Sequence, residues 1–223
     1  VTGEATIFVN DFLAGRVFTS AVTTMLDVTE IVTYGNDINL ISVRIDATGF
    51  EGWYYEGAGI YRDVWLIAAS QTHFDTQTVF AHARPLGRSE WELACDATVV
   101  RDARVADRSG RGGLVARLEL LDGASEVAAS GGLDVRSWES GEAALSWRVI
   151  VTDPALWSPE EPNLHRLRLK LMEGGREVDR VEQRFGFRTI EFVPSRGMLV
   201  NGTPTPIRGV NVHQSHGGVG VAM

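Results

Sequence analysis

In the stretch LHRLRLKL, Leu164 to Leu171, the residues His165, Leu167, Leu169 and Leu171 alternate with Arg166, Arg168 and Lys170. A strand sends successive side chains to opposite faces, so this period of two makes a half-buried strand, whereas a helix needs apolar residues three and four apart. No useful length of the chain carries the helical spacing, and alternation recurs almost throughout. It predicts a nearly all-β protein. Early strands are expected at ATIFVN, NLISVRIDA and RDVWLIAAS, with Asn39, Ile41, Val43 and Ile45 on one face of the second and Leu40, Ser42, Arg44 and Asp46 on the other. Asn10-Asp11 and Gly35-Asn36-Asp37 are turn signals between them.

From about His73 a second series begins: FDTQTVFAH, WELACDATVV, GLVARLELLDG, LSWRVIVTD, LHRLRLKLMEGG and REVDRVEQRFGF. Short strands at this spacing predict a β-sandwich. Gly174-Gly175 supplies the positive φ angles of a tight hairpin, and Asn201-Gly202 a second one inside GMLVNGTPTPIRGVNVH. Asn201-Gly202-Thr203 also matches the glycosylation triplet, but the hairpin reading is preferred. The irregular connection DPALWSPEEPNLH holds Pro154, Pro159 and Pro162, and its Trp157 is expected to staple strands together, not to serve as a sugar platform.

A length of 223 residues fits one large or two smaller domains, and 44% hydrophobic with 22% charged residues is an ordinary globular composition. The net charge of -8 opposes phosphate backbones and anionic lipid, so neither nucleic acid nor membrane is expected as a partner. Cys95 stands alone, which rules out an intrachain disulfide and a cysteine-rich zinc site and leaves a buried spectator thiol. No run approaches the roughly 20 apolar residues of a membrane span. The opening VTGEATIFVND lacks a basic stretch followed by an apolar one; a cytoplasmic location is expected, with an upstream signal peptide left open.

His213 and His216 follow an apolar strand three residues apart. A metal would need a third ligand that nothing nearby supplies, so no metal is expected. Neutral imidazole offers one donor and one acceptor, which suits sugar hydroxyls; from composition alone the pair reads as solvent-facing. The second chemical cluster is GWYYEGAGIYRDVWL, with Trp53, Tyr54, Tyr55, Tyr61, Arg62 and Trp65. Aromatic faces stack on sugar rings, but Tyr61 and Trp65 sit in a strand pattern and are read as structural, with Trp53 and Tyr54 open. Glu139, Glu142, Glu160 and Glu161 read as solvated strand faces, so no carboxylate pair stands out.

Three stretches in order resemble glycoside hydrolase family 2, the β-galactosidase and β-glucuronidase family. EGAGIYRDVWLI is similar to the end of its sugar-binding jelly roll, ALWSPEEPNLHRLRLKL with RFGFRTIEF to the end of its immunoglobulin-like domain, and LVNGTPTPIRGVNVHQSHGGVG to the opening of its catalytic (β/α)8 barrel. The resemblance implies a jelly-roll portion at 1–72, an immunoglobulin-like sandwich at 73–188 and the start of a barrel at 189–223. It also implies a retaining exo-glycosidase, in which one glutamic acid protonates the glycosidic oxygen and another, about 5–5.5 Å away, attacks the anomeric carbon. Both glutamates are expected further along than this chain reaches, because a barrel takes roughly 250 residues. Within the chain, His213 and His216 match the family's segment contributing to the sugar pocket, and Arg208 and Asn211 belong to the same segment.

Some family members hold a sodium ion through an acidic residue where Trp53 stands here, so no cofactor is expected. RGVNVHQSH is closer to galactosidases than to mannosidases, which implies a terminal β-galactoside as the carbohydrate substrate. A β-glucuronidase of the same family and a free-standing carbohydrate-binding module are the alternatives. A jelly roll has roughly eight strands, and the first 70 or so residues supply only later ones, so homo-oligomerisation through this region is expected.

Overall fold

The computed structural model describes residues 4–18, 22–46, 59–60, 62–102 and 113–211, and every regular element among them is a strand. The all-β expectation holds. Two compact units are present: residues 1–66 with 209–223, and residues 67–208.

In the first unit, β1 (Glu4–Val9) lies between β2 (Phe12–Val17) and β3 (Ile41–Asp46) in an antiparallel sheet. Asn10 and Asp11 both take positive φ, 48° and 66°, which is the two-residue turn whose twist matches a hairpin. Asn10 and Asn39 then close the long β2–β3 connection. The Asn10 amide donates to Asn39 Oδ1 at 2.7 Å, Asn10 Oδ1 accepts from Leu40 N at 2.9 Å, and Asn39 Nδ2 donates to Thr33 O at 2.8 Å. Val43 and Ile45 are half-buried as the alternation requires, but Ile41 at the strand end is exposed.

RDVWLIAAS is a correction. From Asp63 to Ser70 the chain forms no strand, and Trp65 and Leu66 are 80% and 82% exposed, so Trp65 is not a core residue here. Val64 to Ile67 is a continuous apolar run and not an alternating one. Such a run marks a strand that needs cover on both faces, and a ladder partner for it is absent among the described residues. Trp53, Tyr54, Tyr55 and Tyr61 lie outside the described residues.

The second unit is built around a two-sheet sandwich. One sheet orders β4 (Thr72–Pro85), β5 (Glu90–Arg101) and β9 (Glu142–Thr152). The other orders β11 (Arg176–Phe185), β10 (His165–Glu173), β6 (Leu114–Asp122) and β7 (Ser125–Ala129), with β8 (Leu133–Asp134) also on β6. The inward rows Leu93, Cys95, Ala97 and Val99 of β5, Leu114, Ala116, Leu118 and Leu120 of β6, and Leu167, Leu169 and Leu171 of β10 fill one core. Each large side chain buried there contributes about 1.5–3 kcal/mol. Cys95 is fully buried, and burial, helped by Asp96, pushes its thiol up to about 12. It is an inert core residue, as expected.

At the β4 and β11 edges polar bonds join the sheets: Phe74 N donates to Asp179 Oδ2 at 2.7 Å and Gln183 Nε2 to Val79 O at 3.3 Å. Gly174 and Gly175, at φ 56° and 85°, close the β10–β11 hairpin where the sequence placed it. On the outer face, Arg168 reaches Glu182 at 2.6 Å and Glu119 at 3.3 Å, and Lys170 reaches Glu119 at 2.6 Å, so the charged half of the alternation becomes a cross-strand ion network.

Candidate functional site

Past the sandwich the chain folds into a small antiparallel sheet of β12 (Ile190–Val193), β13 (Gly197–Val200) and β14 (Thr203–Pro204). Leu199 and Val200 are buried, and the β13–β14 turn takes Asn201 and Gly202 at φ 49° and 76°. Only Asn, Asp or Gly adopts that first position readily. Beyond it, Thr205 to Asn211 forms no strand, and Arg208 and Asn211 are both exposed. They belong to different compact units. His213 and His216 lie outside the described residues.

The residues that carry this sheet form a polar knot around Trp157. Trp157 N donates to Phe187 O at 2.8 Å, and Asn163 Nδ2 donates to Leu156 O at 3.0 Å. Asn201 Nδ2 donates to Trp157 O at 3.0 Å, while its Oδ1 accepts from Thr189 N at 2.9 Å. The Arg188 guanidinium lies over the indole, 4.6 Å from the ring centroid, a cation–π contact. Trp157 is half-buried and staples the proline-rich connection to the end of the sandwich, in keeping with the sequence reading. The Asn201 amide is already spent on two hydrogen bonds.

His165, the first residue of β10, is buried edge-on against Phe187 at a centroid distance of 5.2 Å, and its Nδ1 has no hydrogen-bond partner. Burial lowers its pKa, an effect that Asp122 partly offsets. The unfolded chain, with an ordinary imidazole value of about 6.5, therefore binds a proton that the folded chain refuses. The stability involved is fully present above that value and is lost as pH falls below it. The urea midpoint is expected to drop between pH 7.5 and 5.5, and the drop should flatten in His165→Leu; an equal slope in that variant would contradict the assignment.

Two carboxylates on the strands are paired with arginines. The hydrogen bond from Arg84 holds Glu92 below the usual range, and Arg168 does the same for Glu182, so both are fixed as anions, the opposite of a proton donor. Glu139, Glu142, Glu160 and Glu161 are exposed as expected, but only Glu142 lies in a strand; Glu160 and Glu161 sit in a bend of the proline-rich connection. Among the described residues, no group of His, Cys, Asp and Glu is assembled for a metal, and no helix is long and apolar enough to cross a membrane. An open groove of about 470 Å³ between the β7–β8 connection and β9, lined by Ser130, Gly131, Ser146, Trp147 and Arg148, contains no carboxylate. Sequence reasoning missed Arg188, Asn163 and the role of the Asn201 side chain; an Asn where only the turn was required was the one available signal.

The family model of the glycosyl hydrolases family 2 matches residues 86–188. A candidate β-glucuronidase of Formosa agariphila is 31% identical over 186 residues, 82% of this chain and 17% of that protein. A β-galactosidase of Thermoanaerobacter pseudethanolicus is 28% identical over 205 residues, 88% of this chain and 26% of that protein. A crystal structure of a glycosyl hydrolase family 2 member from Bacteroides cellulosilyticus shares the fold at a TM-score of 0.85 and 24% identity, over 96% of this chain and 29% of its own. This chain thus spans between a sixth and a third of the length of these relatives.

Proposed function

Because the chain belongs to glycosyl hydrolase family 2, we propose that it is the portion of a retaining exo-glycosidase that holds a sugar-binding jelly roll against a catalytic barrel, the sandwich acting as spacer. The observation that carries this reading is the reach of the likeness. It covers 88% of the chain in one β-galactosidase and so extends beyond the family match at 86–188 on both sides, where a free-standing binding module would have no need of it. The substrate is a terminal β-galactoside. Two glutamic acids of the barrel, further along the protein, serve as acid and nucleophile, and His213, His216, Arg208 and Asn211 contribute to the sugar pocket from the segment that opens the barrel.

The β-glucuronidase reading is the second one, favoured by the 31% identity to the Formosa agariphila protein. The two are separated by assaying the intact enzyme that contains this segment on nitrophenyl β-galactoside and nitrophenyl β-glucuronide. A higher kcat/KM for the galactoside is expected, and a glucuronide preference would overturn the substrate. The 223-residue chain by itself is expected to scatter light as a dimer or larger, joined through the strand edge of its first 70 residues; a monomer would overturn that part.

A further inference from the structure

Asn201 does more than shape its turn. A hairpin turn requires only a residue that tolerates positive φ, and glycine would meet that demand. Here the side-chain amide uses both ends: Oδ1 takes the N–H of Thr189, just before β12, and Nδ2 reaches Trp157 O, 44 positions back in the chain. Trp157 is itself fixed to the sandwich by its N–H on Phe187 O and by the parallel bridge of Leu156 to Phe187. Gly186 leaves no slack at this point, since a Cβ there would lie 3.0 Å from Trp157 Cβ. The amide is therefore the direct polar link between the turn of the small sheet and the sandwich connection.

We propose that Asn201 is a positioning residue, a latch that holds the β12–β14 sheet at one angle to the sandwich and so sets the direction in which the chain leaves towards Arg208. The donor end is the half that matters, because the Trp157 carbonyl can only accept. Without the donor, β12–β14 loses its tie to the connection, and its own short ladder, no longer supported, opens more often. The consequence for catalysis rests on the proposed role of Arg208, whereas the latch itself is tested without any assay of activity.

The decisive variant is Asn201→Asp in the full 223-residue chain. It tolerates the same backbone angles and keeps the acceptor for Thr189. An ionised carboxylate repels the Trp157 carbonyl, while a protonated one donates to it as the amide does. Hydrogen exchange is followed for amides of the β12–β13 ladder, with Leu93 and Leu169 amides as the internal reference for the sandwich. At pH 7, Asn201→Asp is expected to lower the hairpin-to-sandwich protection ratio about tenfold. The ratio should return towards the wild-type value below the ordinary carboxyl pKa of about 3.9. Asn201→Gly, which preserves the turn and removes the amide, should lose the protection at both pH values. The latch is refuted if Asn201→Asp matches wild type at pH 7, if its protection fails to recover in acid, or if β10 amides fall in step with the hairpin.

Discussion

Phe187→Ala is expected to cost about 3–5 kcal/mol of folding stability, a large part of the roughly 5–15 kcal/mol that a domain possesses. Phe187 is fully buried at the point where the sandwich ends, and three rings meet it edge-on: Phe185 at 5.0 Å, His165 at 5.2 Å and Trp91 at 5.8 Å. Such edge contacts add about 0.5–1.5 kcal/mol per pair to the area term. The backbone around it is bonded to Trp157, so the void cannot collapse easily. Urea unfolding should show a lower midpoint with an unchanged slope, and Phe187→Leu should recover much of the loss. A loss below about 1 kcal/mol would mean that the neighbours refill the space and that this cluster is not the keystone of the sandwich end.

The elements that could be read from sequence are those whose cause is local. The alternation of His165 to Leu171 gave β10 and its buried face residue by residue, because period two on a sheet with one solvated side leaves a single workable register. Gly174-Gly175 and Asn201-Gly202 were legible because few residues accept positive φ. The run from Val64 to Ile67 misled for the complementary reason: a strand exists only beside another strand, and apolar residues alone do not provide one. The knot around Trp157 was only partly legible. Its aromatic was recognisable as a staple, but no local pattern connects Asn201 to a carbonyl 44 positions earlier or stacks Arg188 on that ring.

The candidate site was legible as chemistry more than as geometry. Arg208 and Asn211 are exposed in the structure, and His213 and His216 offer imidazoles in a segment that resembles the family's sugar-pocket segment. Their contribution is the second large effect expected. A histidine that hydrogen-bonds a sugar hydroxyl in a water-excluded pocket leaves that hydroxyl unsatisfied when truncated, a penalty of about 1–3 kcal/mol, or roughly ten- to hundredfold in kcat/KM.

The most direct test of the account is therefore a kinetic one on the intact enzyme that contains this segment. kcat/KM for nitrophenyl β-galactoside is measured for wild type, His213→Ala and His216→Ala, with thermal melts in parallel. The predicted result is a loss of about ten- to hundredfold in each variant at unchanged melting temperature, in line with the about 1–3 kcal/mol of an abandoned hydrogen bond. Wild-type kcat/KM in both variants would contradict the assignment of this segment to the sugar pocket, as would a loss that only follows a lowered melting temperature.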